Sequence, residues 1–377
     1  MSKKSLHAAI DLGAENVKVV LVEGRRPVAA AKAKRRDYND VEIFSDTEGI
    51  LRATEEALVK AERKVGGQAT STVIGFSHPQ IRGASRSARL TRRSPKTPIS
   101  TSEMGRLVGK VQENTRHAAE EMIRAETGNP DTKVAMMNSL VSNITVDGVE
   151  VENPVGLRGE KLSFSVYTLF APALYLALVQ RLATEMALEL TSVVGASFAL
   201  QLLAESQDIK DGIVIDIGER TTDILTLENG APINSLTVSL GGAMITKAIK
   251  DEFEVGTASA EKLKTYMADT RLPDGPREHL AETVAQATDK YLAILKITLG
   301  DLPKTIRSSP NIYLAGGGAE LTTLQEQMAL SPWWRGYFIN RPTVHLLDEH
   351  PAFALALALA KVELPKSKGI LNRLLKR

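Results

Sequence analysis

The sequence predicts an α/β protein built as two lobes of similar design, and three observations lead there. An apolar strand ending in Asp, then one residue, a Gly and a short polar turn, occurs at Asp11–Asn16 and returns at Asp216–Thr222. A third strand, Asn311–Ala315, runs into Gly316-Gly317-Gly318 and then into helical sequence. Elsewhere short β-rich runs alternate with stretches of helical period, the pattern of sheets covered by helices.

The elements follow in order. Ala8–Ile10 and Val17–Val22 flank the first polar turn as a hairpin. Ser45 followed by Glu48 is a capping-box pattern, which opens a helix reaching Val65, and Thr72–Phe76 returns to strand. From Gly83 to Gly159 the composition shifts to a Ser/Thr/Pro-rich basic approach. There Ser100 and Glu103 form another capping box, opening a long polar helix to Glu126. Strands Val134–Leu140 and Ser142–Val146 follow, with a turn at Asp147-Gly148, and the whole reads as a separable insertion. Leu162–Gln180 is the longest stretch without charge. Its alternation and Pro172 make it a strand, a break and a buried helix spanning Ala173–Leu190, so no membrane span is expected. Ile213–Asp216 and Asp223–Leu227 form the second hairpin, and Ala352–Ala360 is a last apolar helix.

Composition removes several classes of function. With 377 residues, 43% hydrophobic and 24% charged, and only 27 Gly and 16 Pro, the chain is neither collagen-like nor broadly disordered. It contains no cysteine, which excludes disulfides, thiolate catalysis, iron–sulfur clusters and cysteine-ligated zinc, and points to the cytoplasm. Met1–Ile10 carries two lysines but no apolar core, so no secretion signal is expected. The six histidines show no zinc-like spacing, and His345 and His350 are expected in a surface loop. No Gly-x-Ser-x-Gly elbow occurs.

Charge is unevenly placed. The net value is 47 − 45 = +2, yet Lys366–Arg377 holds five Lys/Arg and no acid, leaving the body at −3. Arg25–Arg36 and Arg82–Lys96 each hold six Lys/Arg and no acid, and the second is expected to be a solvated loop leading into the insertion. Aromatics at 5% supply few stacking platforms, so nucleic acid is not an expected partner. In the tail, Ile370, Leu371, Leu374 and Leu375 share one arc of about 140°, opposite Asn372, Arg373, Lys376 and Arg377. Pro365 and Gly369 detach this stretch from the preceding helix, which predicts a short amphipathic helix on an anionic membrane surface.

A strand–Asp–x–Gly turn lets backbone N–H groups approach phosphate oxygens while the Asp holds a hydrated magnesium ion. Two such turns facing each other would clamp one nucleotide. The candidates are Asp11, Gly13, Ala14, Glu15 and Asn16 in the first, and Asp216, Gly218, Glu219, Arg220, Thr221 and Thr222 in the second. Gly316, Gly317 and Gly318 precede a helix N-terminus that favours an anion or a polar ligand edge. Gly241 and Gly242, within Ser239–Thr246, permit either backbone approach to a phosphate or tight packing.

In this order the motifs resemble the actin-like ATPase superfamily, which includes actin, heat-shock chaperones and sugar kinases. The resemblance implies a bilobed fold with Asp11–Lys18 and Asp216–Asp223 as phosphate loops and Gly316–Gly318 as the adenosine motif. ATP and magnesium would be the cofactors, with Asp11 and Asp216 holding magnesium through water. The segment Ala260–Lys264 is similar to the superfamily's adenosine-contacting helix, which assigns Glu261 and Lys264 to the sugar or base.

A narrower resemblance, over essentially the whole chain, is to the bacterial cell-division FtsA family. Asn153-Pro154-Val155-Gly156-Leu157-Arg158-Gly159 with Lys161-Leu162 resembles the segment closing that family's inserted subdomain, and Ser239–Thr246 its linker into the fourth subdomain. The implied division is 1–82 and 160–204 with a closing helix in 345–364 (subdomain 1A), 83–159 (1C), 205–240 and 311–344 (2A), 241–310 (2B), and 365–377 as linker and membrane-targeting helix. Ile370, Leu371, Arg373, Leu374, Leu375, Lys376 and Arg377 would meet the membrane. The implied role is a filament-forming adaptor at the inner face of the cell membrane, whose partners are FtsZ, its own copies and anionic lipid.

Where many members read Asp-x-Gly-Gly-Gly-Thr, this chain has Asp216-Ile217-Gly218-Glu219-Arg220-Thr221, and Glu15 replaces a small or hydroxyl residue. The expectation is nucleotide binding with at most slow hydrolysis, and no catalytic base is assigned. The alternatives are an actin-fold adaptor of a pilus or envelope machine, like PilM, and a small-molecule kinase. Pro154–Gly159 and the tail argue against the first; the second lacks an assignable catalytic Asp and leaves the tail unexplained.

Overall fold

The computed structural model describes residues 6–35, 44–265, 273–300 and 311–362. The chain opens with an antiparallel meander, β1 (Leu6–Leu12), β2 (Asn16–Glu23) and β3 (Arg26–Lys34), followed by α1 (Thr47–Val65) and β4 (Ala69–Phe76), which lies parallel to β1. Next come β5 (Arg82–Thr91), α2 (Thr101–Thr127), β6 (Val134–Val146), β7 (Val149–Glu150) and β8 (Lys161–Pro172). Then α3 (Ala173–Glu185), β9 (Glu189–Gly195) and α4 (Ala196–Ser206) return to the first sheet, with β9 parallel to β4.

A second meander, β10 (Gly212–Ile217), β11 (Thr222–Glu228) and β12 (Ala231–Val238), leads to the helices α5 (Ala243–Glu252), α6 (Thr257–Thr265) and α7 (Asp274–Leu299). Strand β13 (Asn311–Ala315) lies parallel to β10 and is followed by the tight helical turn Gly317–Glu320. Helix α8 (Thr322–Leu330), β14 (Thr343–Leu346) and α9 (Ala354–Ala360) complete the described chain.

The two lobes are topological repeats. The first sheet runs β3-β2-β1-β4-β9, and β12-β11-β10-β13-β14 has the same order in the second. At β12 the second sheet continues into β5-β8-β6-β7, giving nine strands in all. The join is short, with Asn234 opposite Ala84 and Ser235 opposite Gly83. A side chain at Gly83 would meet Ser235 Oγ at 2.1 Å and Leu169 at 2.6 Å, so only glycine lets the strands approach here. Tyr167 seals the joint by donating its hydroxyl to Ser235 Oγ at 2.6 Å.

Packing follows periodicity. Ile50, Ala53, Ala57, Leu58 and Ala61 of α1 recur at helical spacing and are buried against the first sheet. Helices α4 and α9 lie where the two sheets meet. Leu355, Ala356 and Leu359 pack among Ala9, Val20 and Val73 of one sheet and Val214, Leu225 and Ala315 of the other. The alternating Ala/Leu composition of α9 suits this, since small residues let a helix sit close to two sheets.

Several expectations need correction. The cap of α1 is Asp46, which accepts from Gly49 N at 2.8 Å, one residue later than the expected Ser45. Ser100 caps α2 as expected. Val134–Leu140 and Ser142–Val146 are one strand, with register shifts against β8 and Asn143 at φ +51° absorbing the break. The helix expected to reach Leu190 stops at Glu185, where Ala187 takes φ +55°, and Glu189–Gly195 is strand. The second basic cluster is not simply a loop, and the first lies largely in strand. In β3, Lys32 and Lys34 point outward while Ala31 and Ala33 are buried, and Arg82–Thr91 is strand β5. His345 lies in β14, stacked on Tyr313 at 5.2 Å, while His350 is in an exposed turn. The amphipathic tail and its seven membrane residues lie outside the described residues. Among the described residues no helix is long and apolar enough to cross a membrane.

Candidate functional site: a cleft between two turns

Strands β1 and β10 aim their carboxyl ends at a shared cleft of about 690 Å³, within the usual range of small-molecule sites. In the first hairpin Asp11 stands opposite Lys18, whose ammonium donates to Asp11 Oδ2 at 3.0 Å. The turn between them needs glycine at one point, because a side chain on Gly13 would reach within 2.4 Å of Asn16 O. Ala14, Glu15 and Asn16 line the cleft. Glu15 is paired with Lys34 of β3 at 2.9 Å.

The second hairpin repeats the geometry with different chemistry. Asp216 stands opposite Asp223, so an acid occupies the place that Lys18 holds in the first lobe. Gly218 N donates to Thr221 O at 2.9 Å to close the turn. Thr221 Oγ1 lies 3.1 Å from Ser77 Oγ, at the end of β4 in the other lobe. Gly218, Glu219, Arg220 and Thr221 face the cleft. Thr222 does not: it is fully buried, donates to Leu240 O at 2.7 Å and lies 2.7 Å from Tyr291 OH.

The glycines divide by role. Gly316 takes φ +83°, and a side chain there would lie 2.1 Å from Asp216 Oδ1 and 2.4 Å from Ile217 O. It keeps β13 tight against the second turn. Gly318 likewise presses on Ile217, whereas a side chain on Gly317 would meet nothing within 4 Å. Gly241 is a packing glycine, since a side chain would lie 2.4 Å from Glu219 O, and Gly242 N and Ala243 N bond to Gly218 O and Glu219 O. That hydrogen bonding fastens the start of α5 to the second turn. Gly242 lines the cleft.

Helix α6 adds the far wall. Thr246 of α5 donates to Glu261 Oε2 at 2.6 Å and accepts from Lys264 at 2.8 Å, and Lys264 also pairs with Glu261 at 2.8 Å and Glu219 at 3.5 Å. Glu15, Glu219 and Glu261 offer carboxylate oxygens all within 4.8 Å of one another, so acids from both lobes converge beside the Lys264 ammonium.

This crowding moves the protonation equilibria. Burial pushes Asp216 up to about 7, with Asp223 and Asp11 adding to the shift and Lys18 opposing it. Burial also pushes Asp223 up to about 6, against hydrogen bonds from Ser77 and Thr237. Glu219 rises to about 7 through burial, opposed by Lys264 and reinforced by Glu261 and Glu15. Burial works against the charge on Lys18, but Asp11 and Asp216 outweigh it and raise its pKa. Near neutral pH the second turn therefore carries less negative charge than its acids suggest, which relieves the repulsion that Glu219 would exert on a phosphate.

Among the residues expected at the nucleotide site, Thr222 and Gly241 support the cleft from behind, and the others reach its wall. The sequence reading does not single out Lys18, Ser77, His78 and Asp223 as individual cleft residues, although all four line it. Ser77 and His78 had an available signal, because they follow directly on β4, whose carboxyl end opens on the same cleft.

The family model described as "Cell division protein FtsA" matches residues 213–358, from β10 to α9. Cell division protein FtsA of Neisseria meningitidis serogroup B is 26% identical over 58% of this chain and 58% of its own length. The alignment thus spans less than two thirds of that relative. FtsA of Streptococcus pneumoniae serotype 2 is 21% identical, covering 96% of this chain and 80% of its own. Among solved structures, the PilM–PilN type IV pilus biogenesis complex superposes with a TM-score of 0.64 and 18% identity, over 96% of this chain and 99% of that one. The ethanolamine utilization protein EutJ from Carboxydothermus hydrogenoformans gives 0.55 and 17%, over 95% and 90%. This chain has the actin-like ATPase fold, and by sequence its likeness is to cell division protein FtsA.

Proposed function

We propose that this protein is an FtsA-like adaptor that binds ATP with magnesium, forms filaments and ties the FtsZ ring to the cytoplasmic membrane during cell division. The observation carrying this reading is the cleft itself, where the Asp11–Asn16 and Asp216–Thr221 turns face each other and Gly316–Gly318 close the third side. The backbones of the two turns would hold the phosphates, and Asp11 and Asp216 would hold magnesium through water. Bound magnesium supplies positive charge to offset that of the phosphates. Lys18 keeps Asp11 in place, and Glu261 and Lys264 would meet the sugar or base. Glu219 and Arg220, in place of two glycines, make hydrolysis slow in this reading.

Residues 365–377 would attach the protein to anionic lipid at about 1 kcal/mol per Lys/Arg and at most about 1.5–3 kcal/mol per fully buried leucine-sized side chain. Ordering the segment costs part of that, so one copy binds weakly and reversibly. In a filament many tails act together, and avidity raises attachment about 10²–10⁴-fold.

The test is co-pelleting with anionic vesicles across protein concentrations, with and without magnesium ATP, for the full chain and a chain ending at Pro365. Steep pelleting that requires the tail, together with recruitment of FtsZ, supports the reading. Tail-independent pelleting, or both forms staying in solution, overturns it. The TM-score of 0.64 to the PilM chain favours an envelope-machine adaptor as second reading. It would gain if the full chain pelleted without recruiting FtsZ.

A further inference from the structure

A second concavity, of about 690 Å³, lies away from the nucleotide cleft, between β6, β7, the end of α4 and the Asn229-Gly230 turn joining β11 to β12. Its charged rim is acidic, with Glu150 and Glu152 on one side and Glu205 and Asp208 on the other, against a single ammonium, Lys210, that pairs with Asp208 at 2.7 Å. Its floor is partly apolar, with Leu140, Val141 and Val151 half-buried above Ile144 and Ile209. One polar group in the wall is unsatisfied. Gln201 is 2% exposed and its Nε2 donates to Glu205 Oε2 at 3.4 Å, but its carbonyl Oε1 has no hydrogen-bond partner among the described residues. A buried acceptor in that state favours a ligand that brings an N–H donor.

The chain delivers such a ligand to this rim. Lys361, next to the last described residue, donates to Ser206 Oγ at 2.6 Å, and Ser206 adjoins Glu205. The remaining fifteen residues, 363–377, therefore start beside the groove and carry five Lys/Arg against one acid. Their Ile370, Leu371, Leu374 and Leu375 match the apolar part of the floor, and their basic residues match the rim. We infer that the groove between β6, β7 and α4 is the intramolecular dock of the C-terminal segment. Docked there, the segment is withheld from any other surface, so anionic lipid must compete with Glu150, Glu152 and Glu205 for it. This explains why an acidic, partly unsatisfied groove is placed where a basic amphipathic tail begins. The dock does not depend on the segment binding membranes, and its test separates the two.

The absence of native cysteine allows the test in the full chain. With Val151→Cys and Leu374→Cys as its only thiols, a short bis-maleimide should give an intramolecular cross-link at low salt. Adding Glu150→Lys and Glu205→Lys, both at exposed positions, should reduce its yield at least about tenfold, as should high salt. Equal cross-linking after charge reversal, or equal cross-linking from Glu55→Cys on the exposed face of α1, overturns the dock. In a second arm, the full chain with Glu150→Gln and Glu205→Gln should pellet with anionic vesicles at about tenfold lower lipid concentration than the parent, and the same variant ending at Pro365 should show no such gain. A groove-dependent cross-link in a chain that never pellets would remove the membrane reading and keep the dock; an unchanged lipid requirement would remove the competition.

Discussion

Ser77 and Thr221 place their side-chain oxygens 3.1 Å apart although 144 residues separate them, and the contact runs from the end of β4 in one lobe to the β10–β11 turn in the other. The hydroxyl pair couples the lobes at the cleft floor. A double-mutant cycle with Ser77→Ala and Thr221→Ala should give a coupling energy of about 0.5–1.5 kcal/mol in urea unfolding. Additive effects would mean that the lobes are held together elsewhere.

Asp216 sets a pH dependence with a definite sign. Its ordinary value is 3.8, and burial, Asp223 and Asp11 lift it to about 7 against Lys18. Between those values the folded protein keeps a proton that the unfolded chain has released, so the unfolding free energy falls as pH rises from about 4 to 7. Taken alone the group accounts for on the order of 4 kcal/mol, shared with its acidic neighbours because the set titrates together. Asp216→Asn mimics the protonated state. It should match the parent near pH 3.5 and exceed it by about 1–4 kcal/mol at pH 8 in the absence of nucleotide. A variant less stable than the parent at pH 8 would refute the assignment.

Gly316 and Gly317 are adjacent but should respond oppositely to alanine. Gly316 has φ +83° and no room before Asp216 Oδ1, whereas Gly317 faces open space. Gly316→Ala should cost at least about 1–3 kcal/mol of stability from strain alone, while Gly317→Ala should stay within about 1 kcal/mol of the parent. Chemical denaturation without nucleotide separates them. If magnesium ATP raises the melting temperature of the parent but not that of a normally folded Gly317→Ala, the opening beside Gly317 is where the ligand approaches.

The two turns are legible in the sequence because a strand, an Asp, a Gly and a polar turn are a local pattern with a local cause. The repeated strand order is not, because β1–β4 and β10–β13 pairings join residues far apart in the chain and no residue pattern recurs beyond the turns. Strand β9 is hidden for a different reason. The apolar run continues through the end of α3, and the break is made by Ala187 at positive φ where a reader looks for Gly or Asn. Lys18 is concealed by register: only the pairing of β1 with β2 sets it opposite Asp11. In Arg82–Thr91 the charges sit at irregular intervals among small residues, which reads as loop, yet the segment pairs along its whole length with β8.

Arg92, in that same basic cluster, shows most sharply how charge alone misleads. It is 5% exposed, donates to both oxygens of Glu103 at 2.8 and 2.9 Å, and reaches the carbonyls of Thr97 and Gly159. The guanidinium thus joins the start of α2 to both ends of the 83–159 segment, where a loop residue would be solvated. Arg92→Met leaves the Glu103 carboxylate and two carbonyls without their donor, and should cost about 2–4 kcal/mol. Arg92→Lys should recover little, because an ammonium cannot span the same bidentate fork and carbonyl pair. Limited proteolysis should then cut within 93–160 before the lobes. Wild-type resistance in Arg92→Met would show that the apolar packing of Ile99, Met104 and Phe164 holds this segment without the ion pair.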